Sequence, residues 1–77
     1  MTKLLFDEID ISTICVNADW HLATAIDGIQ AACSVSRRDA EALATYVFGE
    51  RAALLGGVAA EGWDEIPDHL DARLRVG

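Results

Sequence analysis

The chain has 77 residues and a formal net charge of −7, from 13 Asp and Glu residues against 6 Lys and Arg residues. This length is enough for one small domain, residues 1–77, and not for a second. The acidity argues against direct binding to nucleic acid or to an anionic membrane surface, because both repel a negative protein. Apolar residues make up 52% of the chain, too many for a disordered acidic tail. No apolar run reaches the roughly 20 residues that a membrane span needs.

The N-terminus lacks the pattern of a secretory signal, which needs an apolar stretch of roughly 7–15 residues. Here Lys3 is followed by only three apolar residues before two acids end the run. The two cysteines, Cys15 and Cys33, are also fewer than the disulfide framework of a small secreted domain usually requires. We therefore expect a cytoplasmic protein in which both thiols pack as small apolar side chains, with a single disulfide as the alternative.

The first predicted element is a short N-terminal β-strand. Ile9 and Ile11 are β-branched and share one side of a period-2 pattern with Cys15, which favours a strand over roughly residues 8–16. A helical turn over 3–8 is the alternative. Because one strand cannot satisfy its own backbone groups, it must pair with a second copy, with another segment of this chain or with a partner's sheet. The small size of the domain favours a homodimer, since association would bury additional apolar surface.

Two amphipathic helices are predicted to follow as an antiparallel hairpin. The first covers about 18–33, with Asn17 as its N-cap and apolar side chains at helical spacing on one face. The second begins after Ser36, whose side chain is expected to cap it, and ends at Gly56 and Gly57.

A short C-terminal helix completes the predicted domain, with Pro67 in its first turn. Ile66, Leu70 and Leu74 are four residues apart and are expected to dock this helix on the core. The predicted fold class is therefore mainly α: a small helical domain made of an antiparallel helical hairpin and a short C-terminal helix, with a short N-terminal β-strand.

No pattern in the chain predicts catalysis or a metal site. His69 lies four residues after Glu65 and four before Arg73, a spacing typical of a solvated ladder of charges on a helix. Structural zinc sites use closely paired Cys or His ligands, and the two cysteines and two histidines of this chain are not paired in that way. We predict no enzyme activity, no cofactor and no bound metal.

Acidic residues and tryptophan together point to a protein-binding surface. Both ends of the chain are net acidic and each contains one Trp, a residue favoured at binding hot spots. An aromatic side chain among carboxylates suits a partner whose apolar pocket lies in a basic field. The residues predicted to contact the partner are Asp7, Glu8, Asp10, Trp20, Glu61, Trp63, Asp64, Glu65, Asp68 and Asp71.

Two resemblances bear on this hypothesis. Residues 9–57, which include the helix sequence ALATYVFGERAALL, resemble small helical-hairpin proteins of GC-rich bacteria, a likeness that implies no activity. In size, acidity and lack of catalytic motifs the chain is similar to small inhibitors of the anti-CRISPR or antitoxin kind. That similarity implies an inhibitor that occludes a basic, nucleic-acid-binding surface of a partner protein. The alternative is a structural homo-oligomer, a dimer through the N-terminal strands, in which the acidity serves solubility.

Overall fold

Helices dominate the computed structural model, which describes residues 4–54 and 66–76. In chain order the elements are β1 (Leu4–Phe6), β2 (Ile9–Asp10), α1 (Ile11–Asn17), α2 (Leu22–Cys33), α3 (Arg37–Leu54), α4 (Asp68–Asp71) and β3 (Leu74–Val76). The predicted fold class is confirmed, with α2 and α3 forming the helical hairpin. Within the described ranges no helix has the length and apolar composition that crossing a membrane requires.

The three strands form one antiparallel sheet in the order β2-β1-β3. The central strand β1 pairs with β2 through a two-residue turn, with Phe6 opposite Ile9. Its other edge pairs with β3, where Leu5 lies opposite Arg75. The N-terminal strand thus finds both of its partners within the chain, and one of them, β3, lies in a segment predicted to be helical.

The N-terminal strand lies earlier in the chain than predicted. The prediction of a strand over 8–16 is wrong beyond Asp10, because α1 begins at the next residue. The alternative prediction of a helical turn over 3–8 is also wrong, since β1 covers Leu4–Phe6. Asp10 acts as the N-cap of α1: its carboxylate accepts hydrogen bonds from Thr13 N at 3.2 Å and from Thr13 Oγ1 at 2.7 Å. Ile11 and Cys15 are both fully buried, and their four-residue spacing fits one face of a helix as well as one face of a strand.

The helix α2 begins four residues later than predicted, and Asn17 is not its N-cap. Asn17 is instead the last residue of α1, and His21 occupies the cap position of α2 without a side-chain hydrogen bond. Between the two helices the chain turns through Asp19 and Trp20, whose φ angles are 54° and 58°. Consecutive non-glycine residues in this left-handed region are uncommon and carry backbone strain.

The start of α3 agrees with the sequence pattern. The Ser36 hydroxyl accepts a hydrogen bond from the backbone N of Asp39 at 3.1 Å, as expected of an N-cap. The predicted end of this helix at residues 56–57 lies outside the described residues. The C-terminal helix α4 is a single turn after Pro67, so Leu74 packs on the core from β3 and not from a helix.

The core contains apolar side chains from every helix, and no polar or charged side chain is buried in the described part of the chain. Its largest fully buried side chains come from β1 and from all four described helices: Phe6, Ile11, Ile29, Leu43, Leu70 and Cys15. Gly28 lets α1 approach α2 closely, because a Cβ atom at this position would lie 2.8 Å from Ile14 Cγ2.

Candidate protein-binding surface

The residues predicted to bind a partner lie at three described places in the fold. One is the β1–β2 turn and the start of α1, the second is the corner between α1 and α2, and the third is α4. The four predicted residues between α3 and α4 lie outside the described residues: Glu61, Trp63, Asp64 and Glu65.

The two acids of the β1–β2 turn are already paired within the chain. Arg73 donates a hydrogen bond to Asp7 Oδ2, and Arg75 Nη1 donates to Glu8 Oε1 at 3.1 Å. The Arg73 guanidinium also lies 4.4 Å from the centroid of the Phe6 ring. Sequence reasoning missed these pairs, in which 66 and 67 residues separate the partners.

The Asp7–Arg73 pair changes the acidity of both groups. The hydrogen bond from Arg73 is the main reason why the pKa of Asp7 lies below its usual value, and desolvation opposes it. The same hydrogen bond raises the pKa of Arg73. Asp7 is therefore ionised at neutral pH, with a cation directly beside it.

Both turn residues also have strained backbone conformations. Asp7 has a φ of 49° and Glu8 a φ of 75°, as a two-residue turn of the type I′ class requires. Asn and Asp are common at the first position of such a turn and Gly at the second, so Glu8 carries more of the backbone strain than Asp7. The third acid of this region, Asp10, is half-buried and used to cap α1.

Trp20 is held in place from two sides at the corner between α1 and α2. Its ring meets the Phe48 ring edge-on, with centroids 5.3 Å apart and planes at 67°. The Arg51 guanidinium lies 4.4 Å from the Trp20 centroid, in cation–π geometry. Val16 and Leu22, before and after this turn, remain 46% and 42% exposed. The half-buried Trp20 therefore packs on the domain, in a turn that has an exposed apolar side chain before it and another after it in the chain.

The two acids of α4 are exposed and, in the described part of the chain, have no ion-pair partner. Between Asp68 and Asp71, His69 Nε2 lies 3.1 Å from Asp39 Oδ1 and so connects α4 with α3. The charge ladder expected from His69 to Arg73 is wrong, because Arg73 pairs with Asp7. Asp39 is a contact that the sequence spacing did not reveal.

Both thiols are buried in the described part of the chain. Cys15 and Cys33 are free and buried, so the disulfide alternative is wrong. Burial raises the pKa of Cys15 to about 11 and also raises that of Cys33, which keeps both in the protonated, weakly nucleophilic form. In residues 4–54 and 66–76 no group of three or more His, Cys, Asp or Glu side chains could hold a metal ion.

Fold and surface together define a small, mainly α domain with an apolar core and an excess of carboxylates outside it. Comparisons with protein-family models, with curated proteins and with solved structures find no significant match.

Proposed function

We propose that this chain is a non-catalytic, cytoplasmic protein-binding module that inhibits its partner by occluding a basic, nucleic-acid-binding surface. One observation carries the proposal: Asp68 and Asp71 are exposed on α4 without ion-pair partners among the described residues. They end the stretch 61–71, which contains five acids and no Lys or Arg.

A carboxylate without a nearby cation produces a stronger electric field at a distance than one that is paired with an arginine. Such a field increases the rate of encounter with a basic surface and competes there with phosphate groups. Asp7 and Glu8 contribute less in this state because Arg73 and Arg75 neutralise them. The proposal therefore assigns electrostatic attraction of the partner to α4 and the stretch before it.

The rest of the described structure is consistent with binding without catalysis. The core has no buried polar side chain, and both thiols are buried and protonated at neutral pH. The described acids and histidines lie at the surface, outside the dry, concave surroundings that acid–base catalysis uses.

Capture of a partner from lysate of the source organism tests the proposal. The immobilised chain should retain a nucleic-acid-binding protein at low salt and release it at high salt, since screening weakens contacts between exposed charges. Added oligonucleotide should displace the captured protein, because both compete for the same basic surface.

Two charge-matched variants sharpen this experiment. We expect Asp68→Asn combined with Asp71→Asn to reduce capture several-fold. The control combines Asp19→Asn with Glu50→Gln, which removes the same charge from exposed positions and should leave capture unchanged. Asn is tolerated at position 19, where φ is positive. Equal capture by both variants would contradict the role of α4.

The structural homo-oligomer is the competing proposal. Because β1 pairs on both edges within the chain, an unpaired strand no longer argues for a second copy, and the small size of the domain is the remaining reason for one. A strand-paired dimer would have to use the outer edge of β2 or β3. Light scattering during size exclusion measures the mass directly, and a monomer in dilute solution would contradict the homo-oligomer.

A further inference from the structure

The C-terminal strap, defined as residues 66–76, is attached to the domain mostly at its surface. Leu70 is its one fully buried side chain among those described, while Ile66 and Leu74 are half-buried. Besides the backbone pairing of β3 with β1, its polar attachments are side-chain pairs at the surface: Arg73 with Asp7, Arg75 with Glu8 and His69 with the half-buried Asp39.

A segment attached in this way opens more easily than the rest of the domain. Local opening is least costly where few apolar side chains are buried and where exposed ion pairs, which salt weakens, supply the contacts. The strap ends in β3, a three-residue strand whose backbone pairs only with one edge of β1 in the described sheet.

Opening of the strap would uncover a defined chemical surface. The edge of β1 would present unpaired backbone N–H and C=O groups, which is the template that an added strand uses. At the end of β1, Asp7 and Glu8 would lose their arginines and become free carboxylates. The segment that fits this edge is an extended strand with Arg or Lys at alternate positions, as Arg73 and Arg75 are placed in the strap.

We propose that the strap occupies this acidic strand edge in cis, and that an extended basic segment of the partner replaces β3 on β1. The inference rests on the proposed function, since it takes the partner to be basic. It adds how the partner binds, namely as a strand paired with β1. The strap then regulates the site: the partner binds only the fraction of molecules in which the strap is open, so closure weakens the apparent affinity. Asp7 and Glu8 contact the partner in the open form.

A disulfide between β1 and β3 tests the displacement directly. Leu5 and Arg75 are opposite each other in the antiparallel register, and such Cα atoms lie about 4.5–5.5 Å apart, within the range of a disulfide. Leu5→Cys combined with Arg75→Cys should therefore lock the strap when oxidised. The native thiols are buried and protonated, which limits their competition for the new bond.

The probe is a fluorescein-labelled peptide with the sequence LDARLRVG of residues 70–77, measured by anisotropy against the full-length chain. We expect the reduced variant to bind it and the oxidised variant to bind it at least about tenfold more weakly, with dithiothreitol restoring binding. A control peptide with both arginines replaced by Gln should bind more weakly than the probe. Equal affinity of the oxidised and reduced forms would overturn the proposal.

A second variant keeps the test decisive if the cysteines disturb folding or do not form the bond. Arg73→Gln combined with Arg75→Gln in the full-length chain removes both arginine pairs of the strap and leaves the residues of β1 unchanged. With helical circular dichroism unchanged, it should bind the probe several-fold more tightly than the natural chain. Unchanged or weaker affinity would contradict the inference.

Partner capture separates this inference from the proposed function. If the oxidised variant captures the basic protein as well as the natural chain does, the binding mode on β1 is wrong while the proposed function stands. If neither form captures it, the proposed function itself fails. If scattering instead shows that opening yields a dimer of this chain, a second copy occupies β1, which overturns the partner assignment.

Discussion

The hairpin of α2 and α3 and the C-terminal strap are held in the domain by different kinds of contact. Ala25 and Ile29 of α2 and Leu43 and Ala44 of α3 have no exposed surface. The strap has Leu70 as its one fully buried side chain among those described, and Ile66 and Leu74 are half-buried against the core. Its other contacts are the backbone pairing of β3 with β1 and ion pairs at the surface. The hairpin also has an exposed ion pair, Arg37 with Asp27, but apolar burial is its main stabilising contribution. Ion pairs, on which salt and pH act directly, supply a larger share of the contacts of the strap.

Truncation in the hairpin core should give the largest loss of stability. Leu43 is fully buried, so Leu43→Ala is expected to lower the free energy of unfolding by about 2–5 kcal/mol, through lost transfer energy and a cavity. Urea denaturation measures this change. Leu22→Ala is the control: because Leu22 is 42% exposed, it should cost less than about 1 kcal/mol. Similar losses for both variants would contradict the assigned packing.

A methyl group at the α1–α2 contact should have the next largest effect. Gly28→Ala places its Cβ atom 2.8 Å from Ile14 Cγ2, and the clash is expected to cost about 1–3 kcal/mol despite the better helix propensity of Ala. In an Ile14→Ala background, which removes the opposing atom, the same substitution should cost clearly less. If the losses of thermal stability caused by Gly28→Ala and Ile14→Ala are strictly additive in the double variant, the two residues do not contact each other.

The smallest expected effect concerns the pH dependence of the strap. The pKa of Asp7 is lowered in the folded chain from its ordinary value by the hydrogen bond from Arg73, so the ionised carboxylate stabilises the fold at pH values above the pKa of the unfolded chain. This contribution is lost as the pH falls through the lowered folded-state pKa. Because Asn is itself favoured at the positive φ of position 7, the change with pH is the test: the melting temperature of the natural chain relative to that of Asp7→Asn should be higher at neutral pH than in strong acid.

The matched control is Asp68→Asn, since Asp68 is exposed and has no ion-pair partner among the described residues. Its melting-temperature difference from the natural chain should vary less between neutral pH and strong acid than that of Asp7→Asn does. A difference between the natural chain and Asp7→Asn that stays constant from neutral pH to strong acid would argue against the Asp7–Arg73 pair.

Local patterns in the sequence were sufficient to predict the helical hairpin but not to predict the β-sheet. The Ser36 cap and the apolar face after it are encoded within a few residues, so α3 could be predicted. Ile11 and Cys15 fit both a strand and a helix, and the cap by Asp10 decides for the helix. The strand β3 exists because β1 pairs with it from the other end of the chain, a tertiary effect that overrides local propensity.

In the candidate site, too, some features could be predicted from the sequence and others could not. The exposure of Asp68 and Asp71 follows from composition and could be predicted. Arginines neutralise Asp7 and Glu8 only because β1 pairs with β3 in this register, and the sequence spacing does not reveal that register. The cation–π contact of Arg51 with Trp20 likewise depends on how α3 packs beside the corner of α1 and α2.

Hydrogen exchange of the unmodified chain, followed residue by residue at low and at high salt, tests the contrast between hairpin and strap most directly. We predict that the amides of residues 70–76 exchange faster than those in the middle of α2 and α3. We further predict that high salt accelerates exchange in the strap more than in the middle of α2 and α3. Protection of the strap equal to that of the hairpin, and insensitive to salt, would contradict the account.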